Sequence, residues 1–396
     1  MTPHSDKILT KDYSLHFISY FLMAAAFYFL LPTLPVYAVN ELGTNKNQVG
    51  YIIGVYALAA LIIRPFSGYA LDAYGRRSVY LWALGIFTLL MGFYHWANNF
   101  YILLVIRLFH GFTWGTITTG GSTIAADLVP EKRRAEGIGY FGMAMAFSIA
   151  FAPYAGDQIM GASNFSTLFN VAAIVSVASL IIALLVKMPN IKTGETKISW
   201  SKMFEKKVNR LGMVMFMGAF PYAAIISFIS IYSDELGIKQ GGLFFIFMAL
   251  GVILSRIFVG KVMDKRGPNG LVFFGLLVTV VGLLLLSAID TFWPLMICGT
   301  LVGIGNGIIM PTVQTMAINM VPMERRGAAN ATFFSAVDLG IGAGSIALGY
   351  IAEFYGIDVM FFICGLILLF PLAFYFLFVV KHYERNISLL RESNAE

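Results

Sequence analysis

The chain has 396 residues, 58% of them apolar and only 12% charged, with a formal charge of +6. A soluble domain carries roughly a quarter charged residues, so a water-facing surface cannot be built from this composition. The excess positive charge is dispersed over short loops and the tails without an aromatic-interleaved basic face, which argues against a nucleic-acid partner.

Apolar runs close to the ~20 residues that a helix needs to cross ~30 Å of hydrocarbon recur along the whole chain, so the lipid bilayer is its solvent. In chain order the predicted spans are 15–39, 48–71, 78–97, 100–126, 136–160, 164–188, 208–235, 241–263, 269–289, 292–320, 327–353 and 358–382. Each run is apolar on both parities and scattered with Gly and Pro, whereas a barrel strand alternates. The predicted fold class is therefore all-α, a polytopic membrane protein with twelve transmembrane helices.

Ahead of the first run stand Asp6, Lys7, Lys11 and Asp12. The run outlasts a signal-peptide core and lacks a small-residue cleavage site, so it is expected to stay attached. Cys298 and Cys364 fall inside predicted spans, where burial as small apolar residues is expected rather than a disulfide framework.

Basic loops stay on the cytoplasmic side of a membrane. One set of loops and both tails hold 22 of the 27 Lys and Arg residues, the opposite set holds Lys46 and Lys239, and Arg64, Arg107 and Arg256 lie within spans. Both termini are expected to be cytoplasmic, in a multi-pass protein of the cell membrane. The long polar connection from Lys187 to Arg210 carries seven basic residues near the middle of the chain and reads as a hinge.

The two halves superpose at a fixed offset of 192 residues, which identifies a duplication. Arg64 matches Arg256, Gly68 matches Gly260, Asp72 matches Asp264, and Gly75 matches Gly267. Gly111 and Gly115 match Gly303 and Gly307, while Pro130, Arg133 and Arg134 match Pro322, Arg325 and Arg326. The expected domains are an N-terminal six-helix bundle over 1–188, a cytoplasmic linker over 189–207, and a C-terminal six-helix bundle with its tail over 208–396. Two such bundles related by an axis along the membrane normal enclose a cavity and can form a complete pathway in a monomer, with access alternating as they rock.

The stretch GYALDAYGRR, Gly68 to Arg77, resembles the loop signature between spans 2 and 3 of the major facilitator superfamily, and GKVMDKRGP, Gly260 to Pro268, resembles its second copy. The departures are Ala73, where the first signature usually has a basic residue, and Pro268 in place of Arg. The resemblance covers essentially the whole chain and implies the superfamily's fold of two pseudo-symmetric six-helix bundles. It also implies that this loop acts as a conformational latch. Gly68, Asp72, Gly75, Arg76, Arg133, Asp264 and Arg325 are assigned to it, since a carboxylate at a span end can bind a helix N-terminus and basic loop side chains.

RLFHGFTWG, Arg107 to Gly115, resembles the span-4 motif of the family, whose intramembrane arginine is associated with substrate or proton coupling. A charge within a span is costly unless it faces a cavity or a partner, so its default reading is functional. Arg64 and Arg256 recur in both halves, and tying helices together suits them at least as well as transport. Arg107 faces Gly299 at the offset, and Asp338, near the middle of span 11, faces Ala146, so these two asymmetric charges are the stronger functional candidates. Asp338 is assigned to proton coupling because a carboxyl at low dielectric is moved toward loading and releasing protons; a permanent pair with an arginine is the alternative. His110, one turn from Arg107, together with Asn306 and Gln314, is expected to line the same path. Asp127, Asp157, Asp290 and Glu353 lie near span ends, where solvated or capping roles are expected.

AFAPYAGD, Ala150 region to Asp157, with Pro153 and Gly156, partly resembles the span-5 motif associated with antiporters, although Ala152 and Asp157 replace two of its glycines. A proline kink with close helix packing explains it equally well. The implied function is proton-coupled efflux of a small drug-like or metabolite solute, resembling the twelve-span drug or metabolite:proton antiporters; the alternative is proton-coupled uptake of an organic anion. An intramembrane enzyme would need clustered nucleophile, base or metal ligands, and no His/Asp/Glu pair at ligand spacing occurs within a span. No GxxxxGK[ST] loop offers a nucleotide site, and no metal or organic cofactor is implied.

Overall fold

The computed structural model describes residues 8–130, 134–188, 204–238, 240–321 and 326–393. Every regular element among them is helical: α1 Lys11–Asn40, α2 Lys46–Ala73, α3 Arg76–Phe93, α4 Phe100–Asp127, α5 Arg134–Ala162, α6 Phe165–Leu185, α7 Asn209–Glu235, α8 Leu243–Arg266, α9 Asn269–Leu286, α10 Phe292–Asn319 and α11 Arg326–Tyr355. The last, α12, opens as Ile357–Ile367 and runs on through Leu369–Phe374, a π-helical turn at Tyr375–Val379, and Val380–Ser393. Ten of these helices are long and apolar enough to cross a membrane; α8 contributes a shorter apolar stretch, Leu243–Ser255, and α5 has 29 residues.

Local sequence sets where the helices begin. Thr10, Asn99 and Asn164 stand in extended conformation before α1, α4 and α6, and each side-chain oxygen accepts from a backbone N–H three residues on. These caps satisfy donors that the first helical turn leaves orphaned. Large apolar side chains such as Trp82, Leu89, Ile174, Ile181 and Leu377 point outward with little cover. Hydrocarbon is the solvent in which such a surface is stable.

The chain forms two compact units, Met1–Thr44 with Val55–Ile198 and Asn45–Gly54 with Ser199–Glu396. In unit 1, α1 packs on α5 and α6, α3 on α4 and α6, and α4 on α5. Unit 2 repeats the pattern: α7 packs on α11 and α12, α9 on α10 and α12, and α10 on α11. The repeat extends to single contacts. A Cβ on Gly111 would strike the Tyr56 carbonyl, and one on Gly303 would strike the Met248 carbonyl; Gly115 closes on Ala60 as Gly307 closes on Val252. All four pairs keep the 192-residue offset, so the GxxxG spacing in α4 and α10 serves close backbone approach to α2 and α8.

Loop chemistry is duplicated too. Gly75 and Gly267 both have positive φ, 95° and 73°, a region where a side chain is strained. Within unit 2 the stretch Asn45–Gly54 lies along α11: the hydroxyls of Tyr51 and Tyr350 are 2.6 Å apart, and the Lys46 backbone N–H donates to Glu353 Oε2 at 2.6 Å. The Lys46 ammonium lies 2.8 Å from Glu235. Glu353 thus caps the first turn of α2 while staying exposed, one of the span-end roles expected of it.

Candidate functional site: a guanidinium in an aromatic box

The face of α4 that turns inward carries Arg107, His110 and Trp114, spaced three and four residues apart and therefore stacked on one side of the helix. Arg107 and His110 are fully buried, at 0% exposure. The Arg107 guanidinium carbon sits 4.2 Å from the ring centroid of Tyr56 on α2 and 5.5 Å from that of Phe27 on α1. Phe27 stacks on Tyr56 at 4.8 Å and meets Trp114 at 4.4 Å. The close approach at Gly111 brings the Tyr56 backbone onto α4, and this sets the Tyr56 ring beside the guanidinium.

The third side of the box comes from α3 and the turn that follows it. Phe87 lies 4.4 Å from the His110 ring, and the Tyr94 hydroxyl is 2.8 Å from His110 Nδ1. Tyr94 also lies against the Arg107 guanidinium. A buried guanidinium is costly to desolvate, and two aromatic faces with a phenol oxygen are groups that offset that cost.

Sequence reasoning singled out Arg107 and His110, and the structure brings them together. It missed Tyr94, Tyr56, Phe27 and Phe87, since aromatic residues are frequent throughout a chain in which they are 15%. A signal existed in the duplication. At the offset Phe27, Tyr56, Phe87, Tyr94, Arg107, His110 and Trp114 become Ala219, Met248, Thr279, Leu286, Gly299, Val302 and Asn306. The repeated fold forms without the box, so the box is not what the fold requires.

The other assigned residues are placed as follows. Asp338 lies in α11, half-buried, in unit 2. Asn306 is half-buried on α10, and Gln314 Nε2 donates to Asn330 Oδ1 at 2.9 Å, tying α10 to α11. Arg64 Nη1 donates to Thr118 Oγ1 at 3.2 Å, which ties α2 to α4. Pro153 lies within α5, where Gly156 sits against the Phe29 backbone of α1. Both cysteines are free and buried.

Of the residues assigned to the latch, Arg76 forms an ion pair with Asp127 at the end of α4, so Asp127 is an ion-pair partner rather than the solvated or capping end-group expected of it. Neighbouring Arg77 donates to the Val186 and Leu184 carbonyls at 2.8 and 3.2 Å, capping the C-terminus of α6. Sequence reading gave Arg77 no role. Gly68 lies in α2, and Asp72, Arg256 and Asp264 lie on α2 and α8 with side chains outside the described residues; Arg133 and Arg325 lie outside them entirely. Groups of three or more His, Cys, Asp or Glu able to hold a metal are absent among the described residues. An open recess of about 500 Å³ in unit 2, lined by Tyr232, Glu235, Ser287, Gly356 and Asp358, contains none of the assigned residues.

A duplicated bundle of membrane helices that keeps a guanidinium buried among rings at mid-helix belongs in class with solute carriers. More narrowly, the chain belongs to the Major Facilitator Superfamily, whose model matches residues 17–289 and 240–395. It is 25% identical over 350 residues to an uncharacterised transporter of this type from Methanocaldococcus jannaschii, covering 84% of this chain and 89% of the relative. To the quinolone resistance protein NorA of Staphylococcus aureus it is 24% identical over 345 residues, 83% of this chain and 87% of NorA. Its fold matches that of a POT family transporter solved with 5-aminolevulinic acid, with a TM-score of 0.80 at 14% identity over 93% of this chain and 96% of that one. The protein is accordingly a multi-pass membrane transporter of small molecules and not an enzyme.

Proposed function

We propose that the protein exports a small drug-like or metabolite solute in exchange for protons. The observation that carries this reading is the asymmetric box: Arg107 with 0% exposure in unit 1, and Gly299 in its place in unit 2. A structural ion-holding role would be expected in both copies of a duplicated fold, whereas a solute path needs its charge once. The direction rests on the likeness to NorA, named for quinolone resistance, and on the partial span-5 motif at Pro153 and Gly156.

In this reading the bundles 1–188 and 208–396 alternate access as a monomer, tethered by 189–207, with both termini cytoplasmic. Asp338 loads and releases the proton, while Arg107 and His110 meet the solute. Asn306 and Gln314 line the path on α10, with Gln314 reporting on its seam with α11 through Asn330. The loop residues Gly68, Asp72, Gly75, Arg76, Arg133, Asp264 and Arg325 serve as the latch. The second reading, uptake of an organic anion with a proton, is favoured by the same buried guanidinium, which attracts negative charge from either side.

The test is proton movement in proteoliposomes holding a pH-sensitive dye, challenged with anionic, zwitterionic and cationic solutes. Solute-triggered flux that disappears in Asp338→Asn, with the sign of exchange, supports antiport. Flux of the opposite sign selects uptake, and flux unchanged in the variant removes Asp338 from the mechanism.

A further inference from the structure

A guanidinium can only donate hydrogen bonds, so the Tyr94 oxygen beside Arg107 is an acceptor on that side. The remaining Tyr94 proton then points to His110 Nδ1, 2.8 Å away. Donation in that direction pairs the phenol proton, which the reverse direction would leave without an acceptor, and it puts the imidazole hydrogen on Nε2. That Nε2 is buried, and among the described residues it has no hydrogen-bond partner. What surrounds the ring is aromatic: Phe87 at 4.4 Å, Phe27 at 5.9 Å and Tyr56 at 6.3 Å between centroids. A buried N–H without an acceptor is disfavoured, and here it is held in place by a dedicated partner.

We propose that His110 Nε2–H is the donor with which unit 1 reads an acceptor oxygen on a ring-bearing solute, and that the class of solute is an aromatic carboxylate. The rings of Phe27, Tyr56 and Trp114 supply faces for stacking, Arg107 supplies the charge that favours an anion over an amine, and Nε2–H supplies the directional contact. Tyr94 is the positioning residue: it touches no solute, and keeps the hydrogen on the buried nitrogen that has no protein partner among the described residues. Tyr56 and Trp114, at 7% and 8%, are the most exposed members of the box, so the solute enters past them. Unit 2 supports the assignment by contrast, because Val302 and Leu286 replace the donor and its positioner together. The inference deepens the transport reading and rests on it for what binding accomplishes.

The experiment uses the full chain in nanodiscs, with the other four of its five tryptophans changed to Phe so that Trp114 alone reports. Two ring-matched quenchers of opposite charge, 4-nitrobenzoate and 4-nitrobenzylamine, are titrated without any gradient. The expected result is 4-nitrobenzoate binding at least about tenfold tighter than the amine, as one charge-assisted hydrogen bond provides. Tyr94→Phe should weaken 4-nitrobenzoate about fivefold to tenfold and leave the amine unchanged, because it frees the tautomer without emptying the box. His110→Gln, which keeps an N–H donor, should retain more of the preference than His110→Leu; this rescue separates recognition from packing, which would move both probes alike. Equal affinities for the two quenchers, or an unchanged 4-nitrobenzoate affinity in both Tyr94→Phe and His110→Leu, would overturn the proposal. Binding with this preference but no transport in proteoliposomes contradicts only the transport reading, whereas transport of 4-nitrobenzoate undiminished in His110→Leu contradicts only this inference.

Discussion

Unit 1 and unit 2 were written from one design and have kept different parts of it. The helix-packing glycines survived in both: Gly111 on Tyr56 and Gly303 on Met248, Gly115 on Ala60 and Gly307 on Val252. The chemistry did not, for Arg107 lies among rings in unit 1 while Gly299 lies against Phe244 in unit 2. Geometry that both copies retain is what the fold needs, and chemistry found in one copy is what the fold can do without. Asp338 follows the same rule in reverse, standing in unit 2 where unit 1 has Ala146.

The largest effect expected from breaking this comparison is at the shared contacts. Gly111→Leu and Gly303→Leu each drive a side chain into a backbone carbonyl of the partner helix. Overpacking of this kind costs about 1–3 kcal/mol or more, and both variants should lose folded protein to a similar extent in detergent melting curves. If one melts like the parent, the copies are not equivalent at this crossing.

Next is the ion pair that unit 1 holds alone. Arg76→Ala leaves the Asp127 carboxylate largely buried without its cation, an expected loss of roughly 2–3 kcal/mol. Arg76→Ala with Asp127→Asn should recover most of it, since unit 2 manages with Pro268 and Asn319 at these places. A double variant no more stable than the single one would mean that the pair is not coupled, and the melting point decides. The smallest effect is in the loops: Gly75→Ala and Gly267→Ala place a Cβ at φ 95° and 73°, each costing about 1 kcal/mol. Matching losses in thermal unfolding would show that the two turns still do the same work.

Much of the fold was legible because lipid leaves few choices. Helix α4 was predicted over 100–126 and runs Phe100–Asp127, and α10, its copy, was predicted over 292–320 and runs Phe292–Asn319. Arg107 and His110 were legible as polar residues one turn apart inside a span. The rest of the box was not, because Tyr56, Phe27 and Phe87 look like any lipid-facing or core ring until α2 is seen to close on Gly111. Tyr94 fell inside the predicted span 78–97, whereas α3 ends at Phe93 and a short 3-10 turn redirects the chain there, which periodicity does not reveal. The Arg76–Asp127 pair left a trace that was readable in principle, since both partners are lost together in the second copy, to Pro268 and Asn319.

The central claim is that an asymmetric buried arginine works in transport while a duplicated one ties helices. The direct measurement is solute-driven proton flux in proteoliposomes for Arg107→Gln beside Arg64→Gln, at matched amounts of folded protein. The account predicts that Arg107→Gln loses about 100-fold or more, as removal of a charge acting on the carried solute does, while Arg64→Gln, which loses a bond to Thr118, stays within about threefold. Flux retained in Arg107→Gln and abolished in Arg64→Gln would contradict it.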